Sequence, residues 1–100
     1  MEIYNQGLEM ASKLGAKDIF CHILFHQAEL FLKDKDIQKA LNNYNQILHN
    51  QEALNKTLIN YSLLKNTYQK LIKLQEDKEK VNLYTQRLKK LEEEWKDIKG

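Results

Sequence analysis

One hundred residues carrying 16 basic and 14 acidic side chains, for a formal net charge of +2, make a chain of modest size and mixed sign. That length excludes a second catalytic module, and charges of both signs scattered along the chain exclude the basic block of a nucleic-acid binder. No apolar run approaches the roughly 20 residues of a membrane span and the amino terminus lacks a signal-peptide pattern, so the reading is a soluble, cytoplasmic chain with no membrane partner. The single cysteine, Cys21, cannot form an internal disulfide and fits a reducing compartment.

With no proline, three glycines and much Lys, Leu, Glu and Ile, the composition favours long helices over sheets. The first is expected over 2–14, where Ile3, Gly7, Met10 and Leu14 form one row and Tyr4, Leu8 and Ala11 a second, and Gly15 ends it. Asp18 is expected to cap a second helix over 18–33, whose Ile19, Phe20, Ile23, Leu24, Phe25, Ala28 and Phe31 crowd apolar surface onto more than one side. Lys33-Asp34-Lys35-Asp36 reads as a polar turn. A third helix, 36–54, carries Ile37, Ala40, Leu41, Tyr44, Ile47 and Leu48 at helical spacing. Asn55-Lys56-Thr57 links it to a fourth helix over 57–75, with Leu58, Tyr61, Leu64, Tyr68, Leu71 and Ile72 on one stripe. The last helix, 77–98, has Val81, Tyr84, Leu88, Leu91, Trp95 and Ile98 alternating by three and four, the seam of a coiled coil.

These elements repeat. Tyr4-Asn5-Gln6-Gly7-Leu8 returns as Tyr44-Asn45-Gln46-Ile47-Leu48 and as Tyr84-Thr85-Gln86-Arg87-Leu88. Of the 60 residue pairs separated by 40 positions, 14 are identical, against about 5 from composition alone. Leu14 and Leu54, Ile19 and Ile59, and Leu24 and Leu64 coincide, and Gly15 pairs with Asn55. A 40-residue period of this kind predicts stacked supersecondary units, each sheltering an apolar face on its neighbour. The tyrosines at 4, 44 and 84 therefore read first as packing residues.

With its period and spacing in hand, the chain resembles the tetratricopeptide-repeat family. Leu24, Ala28 and Phe31 fall on that family's helix A signature, and Ala40, Tyr44 and Ile47 on helix B. The period of 40 resembles the long-helix variants of a repeat that more often has about 34 residues. Three departures stand out. Lys35 occupies the turn position often held by glycine, and Tyr68 and Lys80 replace the small residues Ala28 and Ala40, which predicts wider packing in the second unit. The resemblance implies an all-α fold, one domain over 1–100, with five helices in antiparallel hairpins stacked as an alpha-solenoid fragment.

The resemblance further implies a concave, partner-binding face made by the A helices: His22, Phe25, His26, Glu29 and Lys33 from one unit, and Ser62, Lys65, Asn66, Gln69 and Lys73 from the next. The residues themselves add that these positions lie beside the main apolar stripes and mix charge with amides suited to peptide backbones. Phe25 and Glu29 stand where some relatives hold a terminal carboxylate with lysine and asparagine, which disfavours binding of chaperone tails. His22 and His26 share a helical face, yet two ligands do not make a zinc site, and no metal or cofactor is expected. The sequence has no glycine-rich phosphate loop and no nucleophile with a base and an orienting acid, so no enzyme activity is expected. The expected role is non-covalent binding of a protein or peptide, within a longer repeat array or with self-association. The alternatives are a peptide-responsive regulatory domain and a self-associating helical bundle joined through the Val81–Ile98 seam.

Overall fold

A computed structural model describes residues 6, 7, 9 and 16–99, with the side chains of residues 98 and 99 left aside. Four helices of 13 or 17 residues dominate: α1 (Lys17–Lys33), α2 (Ile37–His49), α3 (Leu58–Leu74) and α4 (Lys78–Glu94), followed by a single turn, α5 (Lys96–Lys99). No strand occurs among the described residues. The expected five long helices are thus corrected to four there. The leading helix expected over 2–14 lies largely outside the described residues, although Gln6, Gly7 and Glu9 within it are helical. Tyr4 also lies outside them.

The chain divides into two compact units, Met1–Leu54 and Asn55–Gly100. In the first, α1 and α2 form a helical hairpin whose core holds Cys21, Leu24, Ala28, Ala40, Tyr44 and Ile47, all at most 2 % exposed. Burial of each of the larger side chains contributes about 1.5–3 kcal/mol. A Cβ added to Gly7 would lie 3.1 Å from Ile23 Cδ1, so this glycine runs close against α1.

The turn between α1 and α2 is made by the backbone. Asp36 N–H donates to Phe31 O at 2.8 Å and Lys35 N–H to Leu32 O at 3.0 Å, closing the helix as a Schellman-type turn. That turn puts Lys35 at φ 62°, the left-handed conformation glycine would take without strain. Asp36 then caps α2, its carboxylate accepting from Lys39 N–H. Asp18 behaves differently from expectation. It sits inside the first turn of α1, where its charge suits the helix dipole, and Ala16 occupies the cap without a side-chain bond.

The third expected helix stops early, at His49 instead of Leu54. Asn50 ends it by donating Nδ2 to Gln46 O at 2.8 Å while its own N–H reaches Gln46 O and Ile47 O. A 3₁₀ turn, Gln51–Ala53, follows, and Leu54 reaches its buried position from extended backbone.

The second unit pairs α3 with α4 and folds the short α5 back on both. Thr57 caps α3 by accepting from Asn60 N–H, and the buried Asn60 side chain donates to Asn55 O at 2.8 Å, tying down the entry to the helix. Tyr61, Leu63, Leu64, Thr67, Tyr68 and Leu71 build one side of the core, and Tyr84, Leu91 and Trp95 the other. The Trp95 and Tyr61 rings lie 6.3 Å apart. The last helix, expected to run through 98, breaks at Trp95. Glu92, Glu93 and Glu94 fill its last turn, where the dipole favours cations, and the helix bears no basic residue there.

The repeat is visible in these cores. Leu24 and Leu64 are 2 % and 0 % exposed, and Tyr44 and Tyr84, each on the second helix of its hairpin, are 0 % and 8 % exposed. Of the replaced small pair, Tyr68 is buried and Lys80 is turned to solvent.

Candidate functional site

At about 100° per residue, the positions of α3 separate into two arcs. The arc of about 160° from Leu63 round to Tyr61 holds every buried residue of the helix. The opposite arc, about 140° wide, holds Ser62, Lys65, Asn66, Gln69 and Lys73, together with Leu58, Ile59 and Lys70. Every one of these is exposed except Lys65 and Lys70, which are half-buried. All five candidate residues of the second unit therefore share one solvent-side face, because burial of the other arc leaves no alternative orientation.

The same division holds on α1. His22, Phe25, His26, Glu29 and Lys33 lie on the arc opposite Cys21, Leu24 and Ala28. His26 Nδ1 is 3.8 Å from Glu29 Oε1, both well exposed, so the pair adds little stability. Phe25 differs from its companions. Its ring is half-buried and meets Tyr44 edge-on at 5.6 Å, so it serves the hairpin core as well as the face.

The two faces occupy equivalent repeat positions but carry different chemistry. On α1 the arc contains Asp18 and Glu29 beside two histidines and Lys33. On α3 it contains three lysines and no carboxylate; indeed no acidic residue occurs anywhere between Leu58 and Leu74. Each arc begins with an exposed isoleucine, Ile19 at 56 % and Ile59 at 70 %, and in α3 Leu58 adds a second aliphatic side chain at 58 %.

Among the described residues, no group of three His, Cys, Asp or Glu side chains is placed to hold a metal ion. Cys21 is fully buried, and burial, reinforced by Asp18 and opposed by Lys17, pushes its thiol up to about 11. A thiol so protonated is a packing group, not a nucleophile. Burial, then the charge of Glu29, likewise pushes the Tyr44 hydroxyl up to about 12. No helix among the described residues is long and apolar enough to cross a membrane.

One polar feature went unanticipated. Asn43, in the middle of α2, donates Nδ2 to Gln27 Oε1 at 2.8 Å and to Leu24 O at 3.2 Å across the hairpin, with both side chains buried. Its signal was in the sequence: Asn43 stands three residues after Ala40 and four before Ile47, on the apolar stripe where a polar residue needs a partner. At the equivalent positions of the second unit, Thr67 hydroxyl donates to Leu63 O within its own helix and Leu83 is 44 % exposed.

No family model, no curated protein and no solved structure matches the chain. The tetratricopeptide resemblance accordingly rests on the 40-residue period and on the hairpin positions described above.

Proposed function

We propose that the chain is a tetratricopeptide-like helical repeat module, its hairpins stacked as a short solenoid, whose work is non-covalent recognition of a protein or peptide without catalysis. The observation that carries this reading is the segregation on α1 and α3: packing consumes one arc of each helix and leaves ten candidate positions, equivalent in the two repeats, on the other. Amide, imidazole and ammonium groups at one-turn intervals along a rigid helix suit the alternating donors and acceptors of a peptide backbone.

The self-associating bundle has less support. Tyr84, Leu91 and Trp95 are already buried within their own unit, which removes half of the apolar seam from any interface with another copy.

Affinity capture from the native host, comparing the intact chain with a Lys65→Glu/Lys73→Glu variant, tests the proposal. A partner retained by the first and lost by the second is the expected result. Equal recovery by both would show that these positions take no part in recognition.

A further inference from the structure

We infer that the exposed face of α3 takes an acidic peptide segment carrying an aliphatic or aromatic anchor, and that this selectivity belongs to α3 and not to α1. The inference rests on the recognition role proposed above and specifies the partner's chemistry.

Charge complementarity carries it. Lys65, Lys70 and Lys73 lie on one face of a helix that has no carboxylate to neutralise them, whereas the corresponding face of α1 carries Asp18 and Glu29 where α3 has Leu58 and Gln69. Among the described residues, the ion pairs His26–Glu29, Lys39–Asp36 and Lys90–Glu94 all lie away from the α3 lysines. Leu58 and Ile59, more than half exposed, stand at the opposite end of the same face. The face thus runs from apolar to cationic along the helix axis.

Its length sets the ligand's spacing. Fourteen residues separate Ile59 from Lys73, which is about 21 Å of helix at about 1.5 Å per residue. An extended peptide covers that span in about six residues at about 3.3 Å each. An apolar side chain on Leu58 and Ile59 therefore places acidic residues about three and six positions away against Lys65 and Lys73. A nucleic-acid backbone would satisfy the lysines and leave the aliphatic end without a partner. A membrane surface needs apolar side chains along the length of a helix, and here they are confined to one end.

The test is selection of random dodecapeptides on the immobilised full-length chain, followed by fluorescence anisotropy with the enriched peptides. Expected are sequences with an apolar residue and acidic residues at those spacings, bound at least tenfold more weakly by Lys65→Glu/Lys73→Glu and by Ile59→Ser. The exposed pair Lys80→Ala/Lys89→Ala on α4 is expected to leave their affinity within twofold, the α1 variant His26→Ala/Lys33→Ala is expected to weaken it less than the α3 variants do, and circular dichroism verifies that all variants remain helical. Enrichment of basic or neutral peptides, or a loss confined to the α1 variant, would overturn the inference while leaving peptide recognition standing. Failure to enrich any peptide would overturn both. Displacement of the selected peptide by single-stranded DNA or by phosphatidylserine vesicles as readily as by unlabelled peptide would overturn the assignment to a peptide ligand.

Discussion

Replacing Asn43 by leucine, the residue found 40 positions later, isolates the buried polar link in the first hairpin. The substitution deletes the donor that bonds Gln27 Oε1 at 2.8 Å and Leu24 O at 3.2 Å, in a site where Gln27 is only 6 % exposed. Two lost hydrogen bonds at about 0.5–1.5 kcal/mol each, with the glutamine carbonyl deprived of this donor, amount to a loss of about 1–3 kcal/mol. Adding Gln27→Thr completes the pair used by the second unit, and a threonine there can bond its own helix as Thr67 does with Leu63 O. The double variant is therefore expected to regain about 1–2 kcal/mol of the loss, a coupling typical of residues in direct contact. Urea denaturation of the wild type, both single variants and the double variant, followed by circular dichroism, measures all four corners. An Asn43→Leu change within about 0.3 kcal/mol of wild type, or strictly additive single effects, would refute the reasoning.

Two further perturbations probe the backbone and the buried thiol. Lys35→Gly relieves a left-handed strain of about 1–2 kcal/mol and loosens the unfolded chain by about 0.4–1 kcal/mol, so a net stabilisation of about 0.5–1 kcal/mol is expected in thermal or urea melts; a loss of stability contradicts the turn geometry. Cys21 is expected to react with a thiol reagent at least about 100-fold more slowly in the folded chain than in denaturant, as befits a buried, protonated sulfur. Because its folded pKa lies near 11 against an ordinary 9.0, the unfolded state releases the proton first. Stability should therefore fall as pH rises from about 9 to about 11, and a Cys21→Ala chain should show a smaller decline over that window.

The hairpins were legible because they rest on repeated apolar spacing. Leu24 and Leu64, and Tyr44 and Tyr84, recur at the period and are buried in both units. The links and helix ends were less legible, since they depend on bonds that no periodicity encodes. Asn50 stops α2 with its own side chain five residues before the position inferred by matching Asn55 to Gly15. Lys35 adopts a conformation usually left to glycine because its own N–H and that of Asp36, bonded back into α1, hold it there. The helix over 77–98 breaks at Trp95, where three glutamates oppose the dipole and the indole turns toward Tyr61.

The candidate faces were legible by default. Once the apolar stripes of α1 and α3 are assigned to the core, the ten positions fall on the opposite arcs, where Phe25 reaches back to pack on Tyr44. Their chemical contrast lies in single positions of the repeat: Asp18 and Glu29 on one arc correspond to Leu58 and Gln69 on the other. The buried Asn43 remained hidden among the many asparagines of the sequence, most of which are exposed, as Asn42, Asn45 and Asn66 are.

Amide chemical-shift mapping of the isotopically labelled full-length chain, titrated with a peptide obtained by selection on that chain, tests the recognition claim most directly. The largest shifts are expected on the solvent-side arc of α3, centred on Ser62, Lys65, Asn66, Gln69 and Lys73, with the buried arc little changed. Shifts concentrated instead along the Val81–Trp95 seam of α4, or spread evenly over the chain, would contradict it.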